Sequence, residues 1–313
     1  MAAPTTAPAG PAVTAYALPS VREKLVEREA SALSTLTVVG TTLTARGRSA
    51  RLVEPDIAHL ATVAHDQGLT AELLLSNYSN RLGDFDRRAL HLMLSHPARR
   101  AQVASQVADQ AVEGGWDGVN VDLERVARSD GSNLVAFLST LRADLPAPAT
   151  ISIDVSGTTS VAGYRHRGYR LSGIAAVVDV VQLMTYDQHG PGWSGPGPVG
   201  ALTWTKDCLA AAVEAGVPAG QLDLGVAGYG YLWHRDGSGR TVTPRSARRL
   251  VHRDGATAHW QKGPGEWTAR LSDGDVLWWS DARSFGVRHD AAVDLGLHGL
   301  AVWRLGSADS LTQ

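Results

Sequence analysis

The sequence is short of several things, and each shortage narrows the possibilities. A single cysteine, Cys208, in 313 residues excludes an internal disulfide framework and any cysteine-based metal cluster. Charge of one sign is not in excess: 29 basic against 31 acidic residues leave a net charge of −2, which gives no bulk attraction for nucleic acid or an anionic membrane. No apolar run is long enough to cross a bilayer. The first thirteen residues, MAAPTTAPAGPAV, lack the charged start and apolar core of a signal peptide. Their Ala, Pro and Thr bias suits a flexible linker, so residues 1–12 are expected to be a tail. Such a tail fits either a mature end left by a removed export signal or a disordered cytosolic extension.

Short apolar runs alternate with helical patterns down most of the chain, which points to parallel βαβ units. Strands are predicted at 13–18, 36–43, 71–78, 118–123, 150–155, 177–185, 222–231 and 299–305, with helices at 21–33, 56–67, 96–113, 132–144 and 201–215. Eight strands with intervening helices predict an α/β fold, a (β/α)8 TIM barrel, over residues 13–313. The rhythm breaks between Trp233 and Asp281. One helix (244–254) and three short strands (256–262, 266–271, 276–279) there predict a small α+β insertion before the last helix and strand. Insertions at the C-terminal mouth of a barrel wall its active site.

The richest stretch is Trp116-Asp117-Gly118-Val119-Asn120-Val121-Asp122-Leu123-Glu124. Side chains alternate along a strand, so Val119, Val121 and Leu123 share one face and Asn120, Asp122 and Glu124 the other. Three polar groups lining a barrel interior are costly to desolvate unless they have a task. Inward residues stand about 6.6 Å apart, close enough to interact, and Glu124 falls at the strand end where barrels place chemistry. An acid beside a second acid in a partly apolar setting keeps its proton to higher pH, which suits a group that protonates a leaving oxygen. Four histidines, His59, His65, His91 and His96, lack the carboxylate spacing of a metal site, so no metal or other cofactor is expected.

DGVNVDLE resembles the DxxDxDxE signature of glycoside hydrolase family 18, and is most similar to its spore-cortex and peptidoglycan N-acetylglucosaminidase branch. The similarity extends to Gln182-Leu183-Met184-Thr185-Tyr186-Asp187-Gln188-His189-Gly190, to Leu224–Tyr231, to Trp279–Ser284 and to Gly299–Gly306, in the family's order. The resemblance implies a retaining hydrolase that cleaves β-1,4 bonds next to N-acetylglucosamine in peptidoglycan- or chitin-type glycans, with the substrate's own acetamide as nucleophile. It casts Glu124 as proton donor and later activator of water. Asp122 would hold the acetamide N–H, Tyr186 the acetyl carbonyl, and Asp187 the reacting sugar on an aromatic floor made by Trp303. Gln182, Met184, Tyr229 and His189 join the substrate-binding set. Asn120 departs from the signature, which has Asp there; Asn cannot share a proton with Asp122 but can donate a hydrogen bond to it.

Other residues carry plainer readings. Tyr229 and Tyr231 share a strand face and are placed so that one or both line the cleft, whereas Asn77 and Tyr78, within reach of the sugar at the end of the third strand, suit core or rim packing better. Of Trp193, Trp233, Trp260, Trp267, Trp278 and Trp279, some suit sugar platforms and several the insertion's own core. Arg245, Arg248, Arg249 and Arg253 form a basic helical face that reads as solvated. The expectation is thus a secreted or cell-wall-associated monomer acting on a glycan, with no nucleic acid partner and no membrane span. The alternative is an inactive, lectin-like barrel of the cell wall, against which the presence of Glu124 argues.

Overall fold

A computed structural model describes residues 10–312. The expected tail falls outside the described residues up to position 9, and Ala12 already belongs to the first strand. Eight parallel strands close into a barrel in chain order: β1 Ala12–Ala17, β2 Thr35–Thr42, β3 Thr70–Ser76, β4 Gly118–Asp122, β5 Thr150–Ser156, β6 Val180–Met184, β7 Leu222–Ala227 and β8 Gly299–Trp303, which pairs with β1. This is the (β/α)8 TIM barrel expected from the sequence.

The outer faces of the strands are aliphatic, and the helices cover them. On β4, Val119 and Val121 are fully buried in the same cluster as Val103 and Val107 of helix Pro97–Glu113. That helix starts on Pro97, which suits its first turn. It buries Val103, Ala104, Val107, Ala108 and Ala111 at helical spacing, and a glycine pair follows it. Gly115 has φ +69°, a conformation that glycine adopts without strain. Each such buried valine contributes roughly 1.5–3 kcal/mol. The inner faces are polar, as alternation requires: Thr14 and Tyr16, Thr37, Glu72, Asn120 and Asp122, Ser152 and Asp154, Gln182, and Asp223 are all buried.

Four expectations are corrected. The seventh strand does not run to residue 231 but ends at Ala227. Gly228 donates its N–H to the Trp303 carbonyl at 2.7 Å, and a Cβ there would meet the Ala308 Cβ at 2.6 Å. The chain therefore turns out of the barrel at a position only glycine fits. It continues as Gly230–Trp233, the second strand of a five-stranded antiparallel sheet: Gly239–Val242, Gly230–Trp233, Val276–Trp279, Glu266–Arg270 and His259–Gln261. That sheet has two strands more than the three expected. The third strand likewise stops at Ser76, and Tyr78–Ser79 pairs with Asp84–Phe85 in a short hairpin. The helix expected over 21–33 is shorter, Glu23–Glu29 followed by a 3-10 turn at Ala30–Ala32.

Helix Pro244–Asp254 packs on the five-stranded sheet, capped by Thr243 at its start and by left-handed Gly255 at its end. One buried ion pair ties this unit to the barrel. Glu266 accepts from the Val199 and Gly200 amides at 2.7 and 2.9 Å and from Arg288 Nη2 at 3.0 Å. Arg288, on the last helix (Ala282–Asp294), also donates to the carbonyls of Gly265, Ser284 and Gly200. No helix among the described residues is long and apolar enough to cross a membrane.

Candidate functional site

The C-terminal ends of β4, β6, β7 and β8 assemble the site. Asn120 and Asp122 point inward from β4, and Glu124 lies two residues past Asp122, beyond the end of the strand. The Glu124 backbone is clamped by Asn77 from the end of β3: its N–H donates to Asn77 Oδ1 at 2.8 Å, and its carbonyl accepts from Asn77 Nδ2 at 3.1 Å. Asn77, only 1% exposed, thus packs in the core, as one of its expected placements had it, and braces the Glu124 main chain. The next residue, Arg125, has φ +58° and pairs with Asp84 of the hairpin at 2.6 Å.

Burial pushes the Glu124 carboxyl up to about 8, helped by the charges of Asp122 and Asp187. Burial likewise raises Asp122 to about 6, although its Oδ2 accepts a hydrogen bond from the Ser76 hydroxyl at 3.0 Å, which opposes the shift. Near neutral pH, Glu124 therefore holds its proton while Asp122 is largely ionised. One carboxyl can give a proton and its neighbour can balance a positive charge.

Beyond the end of β6, Tyr186 is half-buried beside the solvent-facing Asp187. Desolvation holds the Tyr186 hydroxyl well above its ordinary pKa, so it remains a donor. Asp187 has φ +58°, a backbone conformation that non-glycine residues seldom adopt away from functional sites. Its Oδ1 accepts from the hydroxyls of both Tyr229 and Tyr231, at 2.5 and 2.7 Å. Tyr186, Tyr229 and Tyr231 meet edge to face in sequence, and Trp193, exposed by 57%, stands perpendicular to Tyr231 at 5.7 Å. Trp303 ends β8 and packs on Tyr16 of β1 with centroids 5.3 Å apart.

The remaining sequence-predicted residues are placed differently. Met184 is the half-buried last residue of β6. Gln182 is only 2% exposed and lies within the barrel, its Nε2 donating to Asp223 and its Oε1 accepting from Asn120 and Tyr16. His189 packs within its own loop, with Nδ1 on the Pro198 carbonyl at 2.9 Å and its ring against Gly197. Asn120 does not donate to Asp122: its amide hydrogens face Ser152 Oγ, Gln182 Oε1 and Asp154 Oδ1, and its Oδ1 has no partner. Trp267 and Trp279 stack within the insertion, Trp279 and Trp233 are fully buried, and Arg283 lies over Trp260. Of the basic helical face, Arg248 forms a two-point pair with Asp309. Among the described residues no cluster of three or more His, Cys, Asp or Glu could hold a metal ion.

Three contributors escaped the sequence reasoning: Ser76, Tyr16 and Asp154. The signal for the last was present, because Ser152, Asp154 and Ser156 alternate with Ile151, Ile153 and Val155 as the acid row does on β4.

A closed parallel barrel whose mouth carries a shielded acid pair beside a cluster of aromatic rings has the make-up of a carbohydrate-active barrel protein. The pattern of glycosyl hydrolases family 18 matches residues 83–309, and the chain belongs to that family. It is similar to the uncharacterized glycosylase YvbX of Bacillus subtilis, at 25% identity over 79% of this chain and 74% of that protein. The cortical fragment-lytic enzyme of Bacillus subtilis is 24% identical over 91% of this chain and 68% of the enzyme. The crystal structure of a chitinase from Chromobacterium violaceum superposes with a TM-score of 0.86 at 26% identity, covering 97% of this chain and 100% of the chitinase.

Proposed function

We propose that the chain is a retaining hydrolase of β-1,4 bonds next to N-acetylglucosamine in peptidoglycan- or chitin-type glycans, working by substrate-assisted catalysis. The observation that carries this reading is the placement of two acids, buried Asp122 and half-buried Glu124, at the barrel mouth beside Tyr186 and Asp187, with burial and acidic neighbours holding the Glu124 proton to higher pH than that of Asp122. Glu124 protonates the departing glycosidic oxygen. The acetamide oxygen of the bound sugar closes on the anomeric carbon to give an oxazolinium ion, so no enzyme carboxylate forms an ester. Asp122 accepts the acetamide N–H and balances the developing positive charge, in a buried setting where that interaction is strong. Tyr186 donates to the acetyl oxygen, Asp187 holds a sugar hydroxyl while fixed by Tyr229 and Tyr231, and Trp303 presents a ring to the apolar sugar face. Glu124, now ionised, takes a proton from the water that opens the oxazolinium and so regains its starting state. The substrates named for the similar proteins, cortical fragments and chitin, support this substrate class, and the reading carries with it a secreted or wall-associated site of action.

Digesting N-acetylglucosamine oligomers and purified peptidoglycan side by side, with mass analysis of the products, tests the reading. Release of products from neither overturns it. The pH dependence follows from the same two acids. Acidification through about 6 protonates Asp122 and removes the anion, while alkalinisation through about 8 strips Glu124 of the proton it must give. The expected kcat/KM profile is a bell with limbs near those values. A profile flat across both contradicts the assignment.

A further inference from the structure

Behind Asn120 lies a carboxyl that the proposed mechanism does not use. Asp154 of β5 is 3% exposed, and its Oδ1 touches the Tyr16 hydroxyl and lies 3.4 Å from Asn120 Nδ2. The same Tyr16 hydroxyl touches Gln182 Oε1. Gln182 has no hydrogen to offer there, because its Nε2 is turned to Asp223 Oδ2 at 3.3 Å. Two contacts at one phenol oxygen therefore need two hydrogens, and Tyr16 owns one. Asn120 cannot make up the difference: its two hydrogens already face Ser152 Oγ at 2.9 Å, Gln182 Oε1 at 3.2 Å and Asp154.

Taking the acid pair in the roles assigned above, we propose that Asp154 is a positioning residue held as a neutral carboxylic acid, supplying from β5 the second acid that β4 lacks at Asn120. Its O–H donates to Tyr16 Oη, and Tyr16 donates in turn to Gln182 Oε1. The chain of hydrogen bonds fixes the Tyr16 ring beneath Trp303. It also keeps a carboxyl close to Asp122 without a second negative charge, so the anion beneath the sugar stays on Asp122. The charges that face Asp154 favour its neutral form: Asp122 on β4, Glu124 just past it, Glu72 behind Ser152 and Asp223 behind Gln182 are acidic, Tyr186 past β6 is phenolic, and none of its principal electrostatic neighbours is a cation. The contacts with Tyr16 on β1 and with Asn120 pull the other way but do not outweigh burial. Burial first, then the charge of Asp122, raises Asp154 well above the usual carboxylate range.

Infrared difference spectroscopy of the whole chain, wild type against Asp154→Asn at neutral pH, reads the proton directly. The expected result is loss of one protonated-carboxyl carbonyl band; loss of a carboxylate band instead overturns the proposal. Kinetics on an N-acetylglucosamine oligomer supply the second reading. Asp154→Asn keeps an N–H donor for Tyr16 and replaces a group already neutral, so kcat should stay within about threefold and the acid limb should not move. Asp154→Leu removes the donor and should lower kcat by about tenfold or more, the loss of a buried hydrogen-bond partner. An acid limb shifted down by about one pH unit in Asp154→Asn means Asp154 was an anion opposing Asp122, and also overturns the proposal. If Glu124→Gln keeps its turnover, the roles of the acid pair fail instead, while the infrared result still decides the state of Asp154.

Discussion

Replacing Glu124 by Gln is expected to lower kcat by at least ~10²-fold while leaving glycan affinity nearly unchanged. Gln keeps the shape and a hydrogen-bond donor but has no proton to transfer. The main chain at 124 is fixed from both sides by Asn77, so the substitution leaves the position of the side chain's root unaltered. The loss should therefore fall on the bond-breaking step rather than on binding. Rates and dissociation constants of the variant, measured on the same oligomer, separate the two effects. A variant keeping more than about a tenth of the wild-type rate excludes Glu124 as the acid.

The second large effect is on stability. Arg288→Met leaves the Glu266 carboxyl buried with its two backbone donors but without its countercharge. Both side chains are almost wholly inaccessible, 0% and 1% exposed, so water cannot take the arginine's place. Removing one partner of such a pair costs about 3–5 kcal/mol. The pair also joins three segments distant in sequence: the loop after β6, the insertion strand Glu266–Arg270 and the last helix. Denaturant unfolding of Arg288→Met is expected to show that loss, and Glu266→Leu combined with Arg288→Met should recover much of it, because no unpaired charge then remains. A loss below about 1 kcal/mol in the single variant means the pair is no anchor.

Sequence periodicity carried most of the barrel and little of what joins it to the insertion. Alternation along β4 and the two residues after it was legible because the two faces differ so sharply, valines and leucine against Asn120, Asp122 and Glu124. The run from Leu224 to Tyr231 reads as one strand because nothing within it is polar enough to mark a break. The turn at Gly228 is set by Trp303 and Ala308, which lie far along the chain. Helices Arg87–Leu94, Val161–His166 and Leu171–Ala175 span eight residues or fewer, too short to display a helical period. Asp122 and Glu124 lie within one strand's spacing and could be found together. Their supports could not: Ser76 meets Asp122 across 46 residues, Asn77 meets Glu124 across 47, and Tyr16 meets Asp154 across 138. Gln182 entered the substrate-binding set through the resemblance alone, and only the fold places it beneath the site, within the barrel.

The central claim is that the substrate's own acetamide is the nucleophile and that Asp122 and Tyr186 are arranged to hold it once cyclised. The most direct measurement is inhibition by a thiazoline analogue of N-acetylglucosamine, whose fused ring imitates the oxazolinium. Competitive inhibition at least ~10²-fold tighter than that by the free sugar is the result expected, since the analogue resembles the high-energy state. A thiazoline no tighter than N-acetylglucosamine, from an enzyme that also cleaves the N-deacetylated oligomer as fast as the acetylated one, would contradict the account.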